Sequence, residues 1–135
     1  MTGPSSAATL PLSFRDAAWR GIRGKCPRCG EGALFARWLK PHGNCPACAQ
    51  DWSHQRADDF PAYISILLTG HLLAPFIIAL VSDFALGTGA LIAIIVPTAL
   101  MLMLGLLQPA KGAVIAAQWW HGLHGFVRER RTSAE

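Results

Sequence analysis

The chain divides sharply into a polar part and an apolar part. Between residues 62 and 107 it contains no Lys, Arg or Glu, and Asp83 is the only charged residue. Two apolar runs lie within this stretch, at about 62–81 and 89–107, and about 20 residues of helix cross a hydrocarbon core of about 30 Å. The pattern therefore predicts a transmembrane hairpin over residues 59–109, with Pro75 and Pro97 kinking its two helices.

Basic residues flank the hairpin and are missing from its connector. Eight Lys or Arg residues precede the first span and four follow the second, whereas the connector from Ser82 to Thr88 has none. The positive-inside rule then predicts that both termini are cytoplasmic. The net charge of +4 and the pI of about 9.2 are explained by topology and anionic lipid, so no nucleic-acid partner is expected.

One ionisable residue lies deep inside the first span. His71 stands between Gly70 and the small residue Ala74, and an ionisable group at this depth is a candidate functional site. Two interpretations remain open: a neutral His71 that bonds a neighbouring helix or a backbone carbonyl, or a histidine that handles a cofactor or a proton. Gly70 and Ala74 form a notch at which another helix can approach closely.

Four cysteines precede the hairpin as two C-x-x-C pairs. The pairs are separated by fifteen residues, which is a spacing typical of a four-thiolate zinc site, and each has a proline at its second position. The ligands are Cys26, Cys29, Cys45 and Cys48. They predict a zinc ribbon with its tether over residues 20–58, which is too small to fold without one bound Zn²⁺.

Other uses of the cysteines remain possible from the sequence alone. The pairs could form two disulfides or act as redox dithiols. A reducing cytoplasm favours zinc, and His42 and His54 are expected to be turn and surface residues rather than ligands.

The two ends of the chain carry weaker signals. Residues 1–19 are predicted to form a disordered or amphipathic lead-in. After Pro109, residues 110–135 predict an interfacial helix and a basic tail, with Ile115 and Trp119 on the apolar face and both Trp119 and Trp120 at headgroup level. His121 and His124 are three residues apart but lack a carboxylate partner, so a solvated or lipid-facing role is favoured over a metal site.

Several segments together resemble the DUF983 family of small bacterial membrane proteins. These are RGKCPRCGEGALFARWLK, CPAC, DDFPAY and QPAKG, which place the resemblance over about residues 20–120. It implies a multi-pass protein of the bacterial inner membrane, and no established reaction. Genes of this family often lie beside those of haem-copper cytochrome c oxidase, which implies a respiratory partner by association only.

The sequence thus predicts a mainly α-helical membrane protein, with an N-terminal zinc ribbon, a two-helix hairpin and a C-terminal interfacial helix. No nucleophile with a base, carboxylate pair or phosphate loop is visible, which favours a non-enzymatic accessory subunit or assembly factor of a larger membrane complex. Asp58, Asp59 and Lys111 would then contact the partner near the membrane surface. The alternative is a membrane-tethered thiol or metal-transfer protein.

Overall fold

A computed structural model describes residues 9–57 and 59–129 of the chain. The start of the predicted lead-in, Asp58 and the basic tail from residue 130 lie outside the described residues.

Two long antiparallel helices, α2 (Phe60–Phe84) and α3 (Thr88–His121), form a hairpin. Pro61 fits the first turn of α2, where its missing N–H has no partner to lose, and Ala85 ends the helix in a left-handed conformation. The helices are joined by residues 85–87 alone, and the Ser65 hydroxyl donates to the Met103 carbonyl at 2.6 Å. Both are long and apolar enough to cross a membrane, and both extend beyond the predicted spans.

Helix α3 does not end at Pro109, which corrects the prediction of a separate interfacial helix from residue 110. It runs unbroken through Pro97 and Pro109 for 34 residues, about 51 Å, whereas the 25 residues of α2 reach about 38 Å. We call its last part, residues 110–121, the stalk. Its buried residues are Ala110, Gly112, Val114, Ile115, Ala116, Gln118 and Trp119.

The stalk is buried because the N-terminal half of the chain wraps around it. Helix α1 (Phe14–Ile22) crosses the stalk where Gly21 meets Gly112, and the predicted boundary at residue 20 falls inside this helix. Ser13 caps α1 by accepting a hydrogen bond from the Asp16 amide at 3.3 Å. Capping and burial of Ala17, which is fully inaccessible, account for an ordered helix within the predicted lead-in.

The four-cysteine module lies beside the stalk. Its short arm consists of β1 (Phe35–Arg37) and β2 (Lys40–Pro41), paired antiparallel, and two isolated bridges close the loops on either side. Trp52 packs on Trp119 at 6.3 Å and on Phe126 at 5.6 Å between ring centroids. Trp119, predicted at headgroup level, is 1% exposed and belongs to this core, because the module covers the face that was expected to meet lipid.

Candidate metal centre

The four cysteine sulfurs converge on one point. All lie within 4.8 Å of one another, with Cys26 and Cys48 separated by 3.7 Å and Cys29 and Cys45 by 3.8 Å between Sγ atoms. A tetrahedral ion with metal–sulfur bonds of about 2.3 Å requires sulfur–sulfur distances of about 3.8 Å. The four residues predicted as ligands therefore fit a single tetrahedral ion, and neither pair forms a disulfide.

The two C-x-x-C turns share one backbone conformation. In the first, the Gly30 amide donates to the Cys26 carbonyl at 2.8 Å, and in the second the Ala49 amide donates to the Cys45 carbonyl at 2.9 Å. Both residues have a left-handed backbone conformation, with φ of +72° at Gly30 and +61° at Ala49. The unequal sequences thus form equal turns, although only glycine adopts this conformation without steric cost.

Backbone amides point at the sulfurs from inside the turns. Gly32 donates to Cys29 at 3.5 Å, while Ala47 and Cys48 donate to Cys45 at 3.4 and 3.5 Å. A Cβ on Gly32 would crowd the Cys45 sulfur at 2.5 Å, so this position accepts no larger residue. Such donors stabilise thiolates, the form in which cysteine binds metal.

An arginine from α1 braces the first turn. The Arg20 guanidinium donates to the Thr9 carbonyl at 2.7 Å and to the Arg28 carbonyl at 3.2 Å, and it forms an ion pair with Asp16 at 3.4 Å. Thr9 in turn donates to the Cys29 carbonyl at 3.1 Å. Helix α1 therefore connects the first metal-binding turn to the stalk.

A second arginine approaches the sulfurs from the other side. Arg28 Nε donates to Glu129 Oε2 at 2.6 Å, and Arg28 also interacts electrostatically with Cys48. Burial opposes its charge, but the interactions with Glu129 and Cys48 outweigh burial and raise the pKa of Arg28. Its positive charge offsets part of the charge that four thiolates place around an ion.

Burial also governs the thiols. It raises the pKa of Cys26 and of Cys48, whereas at Cys29 the backbone amides of Gly32 and Glu31 overcome burial and lower the pKa. Ion binding must therefore displace protons, at Cys26 above all. The four cysteines are at most 5% exposed. With no open position, the site suits a structural ion better than a catalytic one, and four sulfurs in a tetrahedron are typical of zinc or iron–sulfur chemistry.

Side chains of α3 hold the module at two backbone positions. At the near end, Gln108 accepts from the Leu39 amide at 3.1 Å and Lys111 donates to the Leu39 carbonyl at 2.7 Å. At the far end, Gln118 makes an equivalent pair of bonds with the backbone of Arg56. Lys111, predicted as a partner contact, is thus engaged within the chain.

The remaining predicted residues lie on the hairpin. Gly70, His71 and Ala74 line an open groove of about 440 Å³ on α2, together with Ile66 and Leu67. His71 Nδ1 lies 2.8 Å from the Leu67 carbonyl, so the backbone-carbonyl interpretation describes its contact. Asp59 is exposed at the start of α2 and makes no side-chain cap.

His42 and His54 are not members of the four-cysteine group. His54 lies 3.5 Å from Asp51, and His42 does not join the cysteine cluster. The Asp51 carboxylate has a lowered pKa because Ser53 hydrogen-bonds it and His54 lies nearby.

Three contributors to the site were missed from the sequence: Arg20, Gln118 and the Gly21–Gly112 crossing. Gln118 carried a signal, because a glutamine among apolar stalk residues needs a partner when buried. Arg20 and the two glycines carried none, since their roles depend on contacts across about 10 to 90 residues of chain.

The fold and site together define a module with four clustered cysteines that could hold one metal ion, built around one helix of an apolar hairpin. The chain belongs to the DUF983 family, described as a protein of unknown function, whose model matches residues 35–119. The match covers more than half of the chain and includes the second cysteine pair, all of α2 and α3 as far as Trp119, while Cys26 and Cys29 precede it. No curated protein and no solved structure matches the chain.

Proposed function

We propose that this chain is a non-enzymatic membrane protein that serves a larger membrane complex as an accessory subunit or assembly factor, with a structural Zn²⁺ in a cytoplasmic ribbon. The observation that carries the proposal is the continuity of α3, whose apolar part and stalk form one helix. A partner bound in the membrane and a partner bound at the ribbon would therefore contact one rigid body.

The membrane location is supported by the surface of the hairpin. Apolar side chains are widely exposed on both helices, with Tyr63 at 68%, Ile78 at 64% and Met101 at 75%. A soluble protein rarely leaves so large an apolar surface in water. Residues 85–87 alone join the helices, and no basic residue lies between the spans, which by the positive-inside rule supports our proposal that both termini are cytoplasmic in a bacterial inner-membrane protein.

A structural role for zinc is supported by the closed, buried sulfur cluster. The cytoplasm keeps thiols reduced, and a module whose own core consists of little more than Leu34 and Trp52 needs an ion to fold.

The groove on α2 is the surface that we propose for a partner helix. A carbonyl oxygen only accepts hydrogen bonds, so a neutral His71 ring that donates from Nδ1 to the Leu67 carbonyl has Nε2 as an acceptor. A Cβ atom placed on Gly70 would meet no other atom within 4 Å, so a partner helix has room to approach closely at this position. Pro75 lacks the N–H that would bond the His71 carbonyl, so this part of the groove offers two acceptors in an apolar setting.

Haem-copper cytochrome c oxidase is the partner to be tested first, on the genetic association described above. The tagged chain is purified from its native membrane in mild detergent, and the preparation is analysed for haem absorbance, zinc and co-purifying proteins. Oxidase subunits should co-purify, and deletion of the gene should lower assembled oxidase. His71→Leu should weaken co-purification and His71→Gln should retain part of it. Leu100→Ala, at an exposed apolar position outside the groove, should have no effect.

The result against the proposal is also defined. If no membrane protein co-purifies after crosslinking and oxidase levels are unchanged, the accessory role fails.

The alternative of thiol or metal transfer needs accessible sulfur. The inaccessibility of Cys26 and the at most 5% exposure of the other three cysteines argue against it. Rapid exchange of the bound ion with a chelator, with the fold intact, would favour the alternative.

A further inference from the structure

The turn between β1 and β2 is fixed at the end of the apolar hairpin. It consists of Trp38 and Leu39, with Arg37 and Lys40 as the flanking pair of the arm. Leu39 has a left-handed backbone, with φ of +61°, and α3 holds both its amide and its carbonyl. The position of the turn along α3 is therefore fixed.

The height of the turn follows from the register of the hairpin. Ser65 on α2 is hydrogen-bonded to Met103 on α3. Phe60 and Gln108 each lie five residues farther from the connector between the helices. Because antiparallel helices rise equally at 1.5 Å per residue, Phe60 and Gln108 lie at nearly the same height. Phe60 and Tyr63 are 59% and 68% exposed, and the apolar run ends here on both helices. The turn thus lies at the boundary of the apolar surface.

The turn also concentrates positive charge around an exposed indole. Trp38 is 58% exposed, and the side chains of Arg37 and Lys40 are exposed without an ion-pair partner among residues 9–57 and 59–129. Lys111, which binds the Leu39 carbonyl, adds a third cation whose charge no acid neutralises within this part of the chain. By contrast, Arg20 and Arg28 are both paired with acids.

We propose that this turn is a binding site for the headgroup of an anionic phospholipid, with Trp38 in the bilayer interface and Arg37, Lys40 and Lys111 around the phosphate. The proposal rests on the proposed membrane location of the hairpin. Tryptophan prefers the interface, where its ring is partly apolar and its N–H can be hydrated, and basic residues near the surface are attracted to anionic lipid. The site would hold the ribbon against the membrane surface.

The experiment uses quenching of Trp38 by brominated lipid. Dibrominated phosphatidylglycerol is titrated into the detergent-solubilised full chain, and the Trp38 contribution is obtained by difference from Trp38→Phe. The double variant R37Q/K40Q is compared with R15Q/K25Q, which removes the same charge from exposed positions on α1 and at the base of the arm. Each basic residue should contribute about fivefold to the affinity for anionic lipid. The lipid concentration at half-maximal quenching should therefore rise by roughly 25-fold in R37Q/K40Q and stay unchanged in R15Q/K25Q. Equal zinc content and melting temperature establish that the variants are folded.

Other outcomes would overturn the proposal. Equal midpoints for R37Q/K40Q and wild type, or equal midpoints for wild type with brominated phosphatidylglycerol and phosphatidylcholine, would mean that the turn does not select anionic lipid. If inorganic phosphate relieves the quenching at constant ionic strength, the basic residues of the turn bind a free anion rather than a lipid. If the turn crosslinks to a protein in native membranes, these residues bind a protein partner instead. Extraction of the chain from membranes by alkaline carbonate is a separate outcome, because it would refute the membrane location itself.

Discussion

Gln118 and the backbone of Arg56 exchange two hydrogen bonds. The Arg56 amide donates to Oε1 at 2.9 Å, and Nε2 donates to the Arg56 carbonyl at 2.6 Å. Gln118 is 7% exposed, so both groups of the Arg56 backbone are satisfied by one side chain in a poorly hydrated position. The segment that leaves the metal-binding module for α2 is thereby joined to the stalk of α3.

Gln118→Leu should destabilise the docking of the module, because it leaves the Arg56 amide and carbonyl without partners. Leaving a buried polar group unsatisfied costs about 1–3 kcal/mol. Thermal unfolding of the detergent-solubilised chain, followed with limited proteolysis of the module, measures the effect. Gln50→Leu is the matched control, since Gln50 makes one partly buried bond to the Asp51 carbonyl. Equal melting temperatures for the two variants would contradict the role assigned to Gln118.

The crossing of α1 and the stalk depends on two glycines. A Cβ on Gly112 would overlap the carbonyl oxygen of Gly21, whereas a Cβ on Gly105, in the same helix, would meet no atom within 4 Å. Gly112→Ala should therefore force the helices apart and destabilise the protein by about 1–3 kcal/mol or more. Gly105→Ala should be neutral or stabilising, because alanine favours helix. Comparable thermal stability of the two variants would show that α1 does not pack in this way.

Exchanging alanine and glycine in the two C-x-x-C turns should change the rate of metal loss in opposite directions. Ala49→Gly should remove the strain of an alanine with a left-handed backbone, and it should therefore slow the loss of metal to a chelator. The expected gain in folding stability is up to about 1 kcal/mol, because the greater entropy of glycine in the unfolded chain offsets part of the relief. Gly30→Ala should speed the loss, since its Cβ would lie 3.0 Å from Arg20 Nε as well as being strained by φ. Metal-release half-lives measured side by side test both. A faster release from Ala49→Gly than from wild type would be inconsistent with a shared turn conformation.

The parts predicted from the sequence are those that local chemistry specifies. The spacing of the four cysteines predicted the group of sulfurs that could hold an ion, and the absence of charge predicted the two apolar helices, since both signals lie within short stretches of chain. Pro109 suggested a helix end that tertiary packing overrides, because the stalk gains more from burying Ile115 and Trp119 than it loses at one proline. From the sequence alone, the apolar face of the stalk could contact either lipid or protein. The position of the four-cysteine module shows that it contacts protein.

Removal of the metal should expose Trp52 while the long helices persist. Trp52 is 1% exposed and packs against Trp119 and Phe126, but the module has too few apolar residues to keep this arrangement without its ion. The backbone bonds of α2 and α3 are internal to each helix, so chelation should leave most helical circular dichroism unchanged. Tryptophan emission should shift to longer wavelength, and the shift should be smaller in Trp52→Phe but fully kept in Trp38→Phe, where the indole is already exposed. The four thiols should react with a thiol reagent only after chelation, as their burial requires. An unchanged emission spectrum after complete metal removal would show that the module folds without the ion, and the structural role proposed for zinc would then be wrong.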